Sequence, residues 1–321
     1  MKAIIYRQYG GPEVLEYTDI PDPKMGQNDV LIATKAAALN QADIAIQAGL
    51  ADALMNAWFP VVPGWDVAGV VAEVGAGVSE FKPGDEVMSY VREDILHKGA
   101  FAEFVCTPVT NVALKPKSAS WVEAAGIPLA GLTAVRAVDT MLEVQSGETV
   151  LLHGAAGGVG IIAAQLAKLR GARVIGSCSR ENRLFVEELG IEAVDYGPAL
   201  PEQVRAIAPD GVHVILDCAG RDALATSAEL VATTTRLGSI VSNDSPAVKM
   251  IYARQDIHAL EHLATLIDQG ALRIPIAAVF PLSAAAEAQR ALTRHHGPGK
   301  IVIHFERGEV VSDPRGGAKA A

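Results

Sequence analysis

The sequence predicts an α/β protein in two parts, a compact β-rich unit followed by a doubly wound parallel sheet. Three observations carry that expectation. Up to about Pro116, short β-rich runs such as DVLIATKAAAL and VAGVVAEVG are separated by turn signals such as GGPE, PDPKMGQND and KPGDE. From SASWVEAAGI onward, nearly continuous apolar runs alternate with helical stretches, the pattern of strands covered on both faces by helices. Between two of those runs lies HGAAGGVG, His153 to Gly160, with the strand-like VLL before it and the helical IIAAQLAKLR after it.

The elements follow in order along the chain. MKAIIYRQYGGPEVLEY offers only a short apolar run before charged and turn residues, so no export signal and no spanning helix is expected. Ser118 or Ser120 caps a helix that carries Glu123 near its first turn. TVLLHGA, RVIGSCS, EAVDY, VHVILDCAG and LGSIVSN read as strands, with ENRLFVEELG and RDALATSAELVA as helices among them. Beyond a helix near HALEHLATLIDQG come AAVFPLSAAAEAQRAL and a last strand, GKIVIHF, which could return to either unit. The stretch 309–321, ending in GGAKAA, is expected to be a disordered tail. There is no internal repeat.

Composition narrows the function classes. A chain of 321 residues with formal net charge −10 and no Lys/Arg block presents no field for nucleic acid or an anionic membrane surface. Its three cysteines, Cys106, Cys178 and Cys218, are odd in number and lack CxxC spacing, against a disulfide framework or a thiolate zinc site. A reducing cytoplasm is the expected location, and the expected partner is a small molecule.

The glycine turn is the strongest single motif. Read as Ala155-x-Gly157-x-x-Gly160, it is a variant of the dinucleotide fingerprint with Ala in the first glycine position. Gly157 would let a pyrophosphate approach the backbone, Gly160 would let helix pack on strand, and the N–H groups of Gly158, Val159 and Gly160 would face the negative charge. About 20 residues further on, NAD-binding units place a carboxylate on the ribose hydroxyls. Here the strand ends at Ser177 with no carboxylate, and SCSRENR supplies Arg180 and Arg183. Guanidinium groups take a 2′-phosphate bidentately, so the cofactor expected is NADPH.

With both halves in place, the sequence resembles the medium-chain dehydrogenase/reductase superfamily, and within it the zinc-independent quinone oxidoreductases. The marks are MKAIIYRQYGGPEVLE, ALNQAD, VPGWDVAGVVAEVGAGVSEFKPGDEV, GAFAEF, AAGIPLAGLTA, HGAAGGVG and GKIVIHF, in the family's order over nearly the whole chain. The resemblance implies a GroES-like catalytic domain over 1–120 completed by 266–308, and a Rossmann NADPH-binding domain over 121–265. The active cleft would lie between them. Where zinc-dependent relatives carry ligands, this chain has Asn40, Trp65 and a position near Leu129, and the stretch 90–104 has none of the cysteines of their structural lobe. Loss of the Lewis acid leaves hydride addition to an electron-poor C=C as the accessible chemistry.

The same resemblance places Asn40 near the nicotinamide ribose, with Asp43 either part of that site or a helix cap. Thr133 falls near the nicotinamide, Ser177, Arg180 and Tyr196 near the 2′-phosphate, and Asn243 near the carboxamide; Tyr196 also reads as strand-end packing. Many relatives have a tyrosine a few residues after Asn-x-x-Asp, but this chain has Ile46. Tyr90 and Arg92 are then the candidates for contacting the substrate oxygen, with Asn40 beside them. His97, His153, His295 and His296 share no metal spacing and read as core or surface residues. Trp58, Phe59 and Trp65 wall an apolar pocket or pack in the core. The implied activity is reduction of a quinone or an α,β-unsaturated carbonyl compound by a homodimer. The alternatives are an enoyl-thioester or secondary-metabolite reductase of the same fold, and an NADPH-binding regulatory module.

Overall fold

The computed structural model describes residues 1–220, 222–242, 245–294 and 297–305. Asn243, His295, His296 and the expected tail at 309–321 lie outside them.

Two sheets organise the chain. The first has seven strands. Its main path runs Ile276–Pro281, Lys300–His304, Asp29–Ala38, Asp66–Val74, Glu86–Tyr90 and Val112–Leu114, with Phe104–Pro108 also paired to Asp29–Ala38. Alternating burial along Asp29–Ala38 puts Val30 and Ile32 into one core with Val67, Val87, Phe101 and Ile303. The last strand answers the question its sequence left open: Lys300–His304 pairs antiparallel with Asp29–Ala38, so the chain end closes the first unit.

The second sheet is parallel and six-stranded, ordered Glu192–Asp195, Arg173–Cys178, Thr149–His153, Val214–Asp217, Arg236–Ser239 and Val248–Met250. In chain order this is 3-2-1-4-5-6, the doubly wound arrangement with its reversal beside the first strand. All of Thr149–His153 is buried, which is why that segment reads as a continuous apolar run. The helix Gly158–Leu169 covers one face, burying Ile161, Ile162 and Leu166.

Local chemistry settles two details. Of the two possible caps, Ser120 begins the helix Trp121–Ala125, its hydroxyl accepting from the Glu123 N–H, while Ser118 donates to Asp268. The segment expected as one helix, RDALATSAELVA, is a short helix at Ala223–Thr226 and a separate turn at Ala228–Leu230. The break falls at Ser227, whose hydroxyl donates back to Ala223 O and lies 3.1 Å from His153 Nε2.

Candidate functional site

The strand Thr149–His153 delivers the chain to Gly154, whose φ of +78° is a left-handed conformation that glycine adopts without strain. The helix that follows starts at Gly158 with Gly157 at its N-cap, and no side chain caps its first N–H groups. The glycines of this turn serve different ends. A Cβ on Gly160 would lie 2.1 Å from Gly154 O, so helix-on-strand packing alone demands glycine there. A Cβ on Gly157 would meet only Gly154 O, at 3.3 Å. Internal packing therefore scarcely accounts for a glycine at 157. Ala155 is fully buried, and Gly176 has no room for a Cβ beside it.

The closing strand meets this turn. Gly299 bridges to Gly157 in parallel fashion and its N–H donates to Ala156 O at 3.0 Å. A Cβ on Gly158 would lie 2.7 Å from Lys300 Cδ, so the lysine stem runs over the start of the helix.

At the other end of the turn the expectations need correction. Ser177 is fully buried and its hydroxyl lies 3.1 Å from His153 Nδ1. The hydroxyl therefore ties strand to strand. His153, held between Ser177 and Ser227, has its pKa pushed down to about 4 by burial, as a neutral core histidine should. A carboxylate is also present after all: Asp195, opposite Cys178 in the adjacent parallel strand, is 2.9 Å from Arg183 and 3.9 Å from Arg180. Arg183 additionally donates to Ala193 O, whereas Arg180 is 89% exposed. Tyr196 is half-exposed next to Asp195.

Facing the turn is a wall of buried charge. Asn40 begins the helix Gln41–Gln47, and the Asp43 carboxylate accepts from its N–H at 2.8 Å, so Asp43 caps the helix. The Asn40 amide is occupied at both ends: its Nδ2 donates to Asp66 Oδ2 at 2.9 Å and its Oδ1 accepts from Lys300 Nζ. Asp66 also accepts from the Leu129 N–H at 2.7 Å. Burial raises the pKa of Asp66 and lowers that of Lys300; burial, then the neighbouring Asp66 charge, raises Asp43 to about 7. Thr133 is buried with its hydroxyl donating to Leu129 O.

Tyr90 stands opposite Asp66 across the strand pair, its ring edge-on to Trp65 at 6.1 Å. It is 3% exposed, its hydroxyl has no hydrogen-bond partner among the described residues, and burial holds its pKa above the usual phenol value. Arg92 lies over the Trp65 ring at 5.8 Å and pairs with Asp94, and Gln255 from the second unit donates to its carbonyl. Ile46, where the resemblance led to an expected tyrosine, packs against the cluster that holds Tyr6. Phe59 stacks edge-on to Tyr6 and Tyr9, while Trp58 is exposed and its carbonyl is bonded to His97. The structure thus brings Asn40, Tyr90, Arg92 and Trp65 to one neighbourhood.

Residues 26–117 match the alcohol dehydrogenase GroES-like domain family, and residues 189–303 match the zinc-binding dehydrogenase family. A chloroplast envelope quinone oxidoreductase homolog from Arabidopsis thaliana is 31% identical over 94% of this chain and 98% of its own length. The chain belongs to the medium-chain dehydrogenase/reductase superfamily, among its quinone oxidoreductases. Another relative of this oxidoreductase, the Arabidopsis NADPH-dependent alkenal/one oxidoreductase, is 33% identical over 95% of the chain and 79% of that protein. A solved NAD-dependent alcohol dehydrogenase superposes with a TM-score of 0.87, at 32% identity over 95% of this chain and all of that one. A nicotinamide cofactor therefore belongs to this fold. Among the described residues no three His, Cys, Asp or Glu side chains converge on a metal-binding point, and no helix is long and apolar enough to cross a membrane.

Sequence reasoning missed three residues: Lys300, Asp66 and Asp195. The first two had a local signal, an ionisable residue opening a strand and followed directly by buried apolar residues, in GKIVIHF and WDVAGVV. Asp195 had none, because parallel register rather than chain proximity brings it to the end of the neighbouring strand.

Proposed function

We propose that the protein is a zinc-independent, NADPH-dependent reductase that adds hydride to a quinone or to the C=C of an α,β-unsaturated carbonyl compound. The observation that carries this reading is the contact at Gly157 and Gly299. There an uncapped glycine turn stands against a wall in which the metal-ligand positions are Asn40, Trp65 and Leu129. Arg180 supports NADPH over NADH, because it is exposed and at 3.9 Å only loosely tied to Asp195. The names of the quinone and alkenal/one relatives agree with the acceptor class.

Bound in the cleft, the reduced cofactor would supply hydride to the β-carbon of the acceptor. The electron pair of the C=C then moves toward the conjugated oxygen, where a hydrogen-bond donor can meet the charge without a Lewis acid. Tyr90 suits that task. Its phenol stays protonated at neutral pH, and its hydroxyl is unpartnered among the described residues. Trp65 supplies a flat apolar face for a ring or enone. The test is NADPH oxidation by chelator-dialysed protein with 1,4-benzoquinone and with a simple enone. The rate should survive chelation, and Tyr90→Phe should lower kcat about 10-fold with a smaller effect on KM. Stoichiometric zinc lost together with activity would contradict the reading.

A further inference from the structure

Lys300 is a charged residue that opens the closing strand ahead of Ile301, Val302 and Ile303, and it is 5% exposed. Its Nζ donates to Leu39 O at 2.9 Å and to Asn40 Oδ1, and lies 3.7 Å from Asp66 Oδ2. Its stem crosses Gly158 at the start of the phosphate-facing helix, and Gly299, the residue before it, carries the bridge to Gly157. One residue therefore touches both the glycine turn and the buried charges around Asn40. Stability is a poor reason for it, because a buried ion pair can commonly be replaced by neutral groups of similar volume without loss. Orientation is a better one. Lys300 takes one end of the Asn40 amide and Asp66 the other, so the amide can neither flip nor swing.

We propose that Lys300 is a positioning residue for hydride transfer. It fixes Asn40, and through it the nicotinamide end of the cofactor, in register with the turn that holds the phosphates. This rests on the reading of the cleft as an NADPH site. The Lys300→Met variant leaves Asp66 as an uncompensated buried charge and is expected to lose thermal stability. The informative protein is therefore Lys300→Met combined with Asp66→Asn, in which both partners are neutral.

Three readouts are taken on wild type and double variant: Tm, NADPH affinity by fluorescence titration together with the anisotropy of the bound nicotinamide, and kcat and KM with 1,4-benzoquinone. The double variant should recover Tm to within about 4 °C of wild type. It should bind NADPH within about 3-fold, yet show lower nicotinamide anisotropy and a kcat reduced about 30-fold at little-changed KM. Recovery of kcat and anisotropy along with Tm would overturn the proposal, leaving Lys300 a structural residue. A loss of NADPH affinity as large as the loss of kcat would overturn it too, making Lys300 an affinity group. Wild type that binds NADPH but reduces no acceptor would instead sink the reductase reading, and the anisotropy would still decide the role of Lys300.

Discussion

On the parallel-sheet side of the Gly157–Gly299 contact, the segment from Gly154 to Gly160 is backbone and small apolar side chains, with Arg180 and Arg183 out on the next strand-to-helix connection. On the opposite side, Asp43, Asp66 and Lys300 are buried together around Asn40. The first wall works by steric permission: glycine opens room and the helix start offers N–H groups. The second works by fixed charge, and it must offset the desolvation of every ion it buries. The first should therefore fail when side chains are added, and the second when side chains are removed or neutralised.

The largest effect is expected in the charged wall. Asp66→Ala strands the Lys300 ammonium and the Leu129 N–H without their carboxylate, and should cost about 3–5 kcal/mol of unfolding free energy in urea titrations. A loss below about 1 kcal/mol would mean that the wall is solvated. Gly157→Val comes next and should spare the fold, because only Gly154 O crowds its Cβ. It should weaken NADPH and NADH alike by about 10-fold or more, read by fluorescence titration. A variant that loses stability in the same measure would make Gly157 a packing glycine like Gly160.

Arg180→Ala separates phosphate holding from cofactor choice. It should raise the KM for NADPH about 10-fold and leave NADH nearly unchanged. Equal weakening of both cofactors would remove Arg180 from the 2′-phosphate subsite. The smallest effect is a pH dependence in the charged wall. Asp43 is held at about 7 in the folded state against an ordinary value of 3.8, so the fold binds the extra proton between those values. The stability this contributes is lost as pH rises toward 7. Asp43→Asn is neutral throughout, so its stability relative to wild type should climb from about pH 4 to about pH 7 and then level off. A flat difference would mean that Asp43 ionises freely. His153 titrates in the opposite sense, and the difference between the two proteins cancels its contribution.

The two walls were also unequally legible in the sequence. The glycine turn and its strand-turn-helix setting are contiguous, and local steric rules suffice to read them. Asn40 was readable through ALNQAD, and Tyr90 through its place in the stretch without cysteines. Their meaning depends on partners far along the chain: Asp66 is 26 residues from Asn40 and Lys300 is 260. No periodicity encodes such a meeting. It is created when the last strand pairs with Asp29–Ala38. Ser177 shows the converse, a polar residue at a strand end whose side chain faces inward toward His153.

The proposed reaction delivers hydride to a carbon conjugated with a carbonyl and leaves that carbonyl intact. The direct measurement uses NADPH carrying deuterium at the transferable C4 position, a cyclic enone as acceptor, and mass and NMR analysis of the product. The expected product is a saturated ketone with deuterium on the β-carbon. Deuterium on the former carbonyl carbon, in an allylic alcohol, would contradict it.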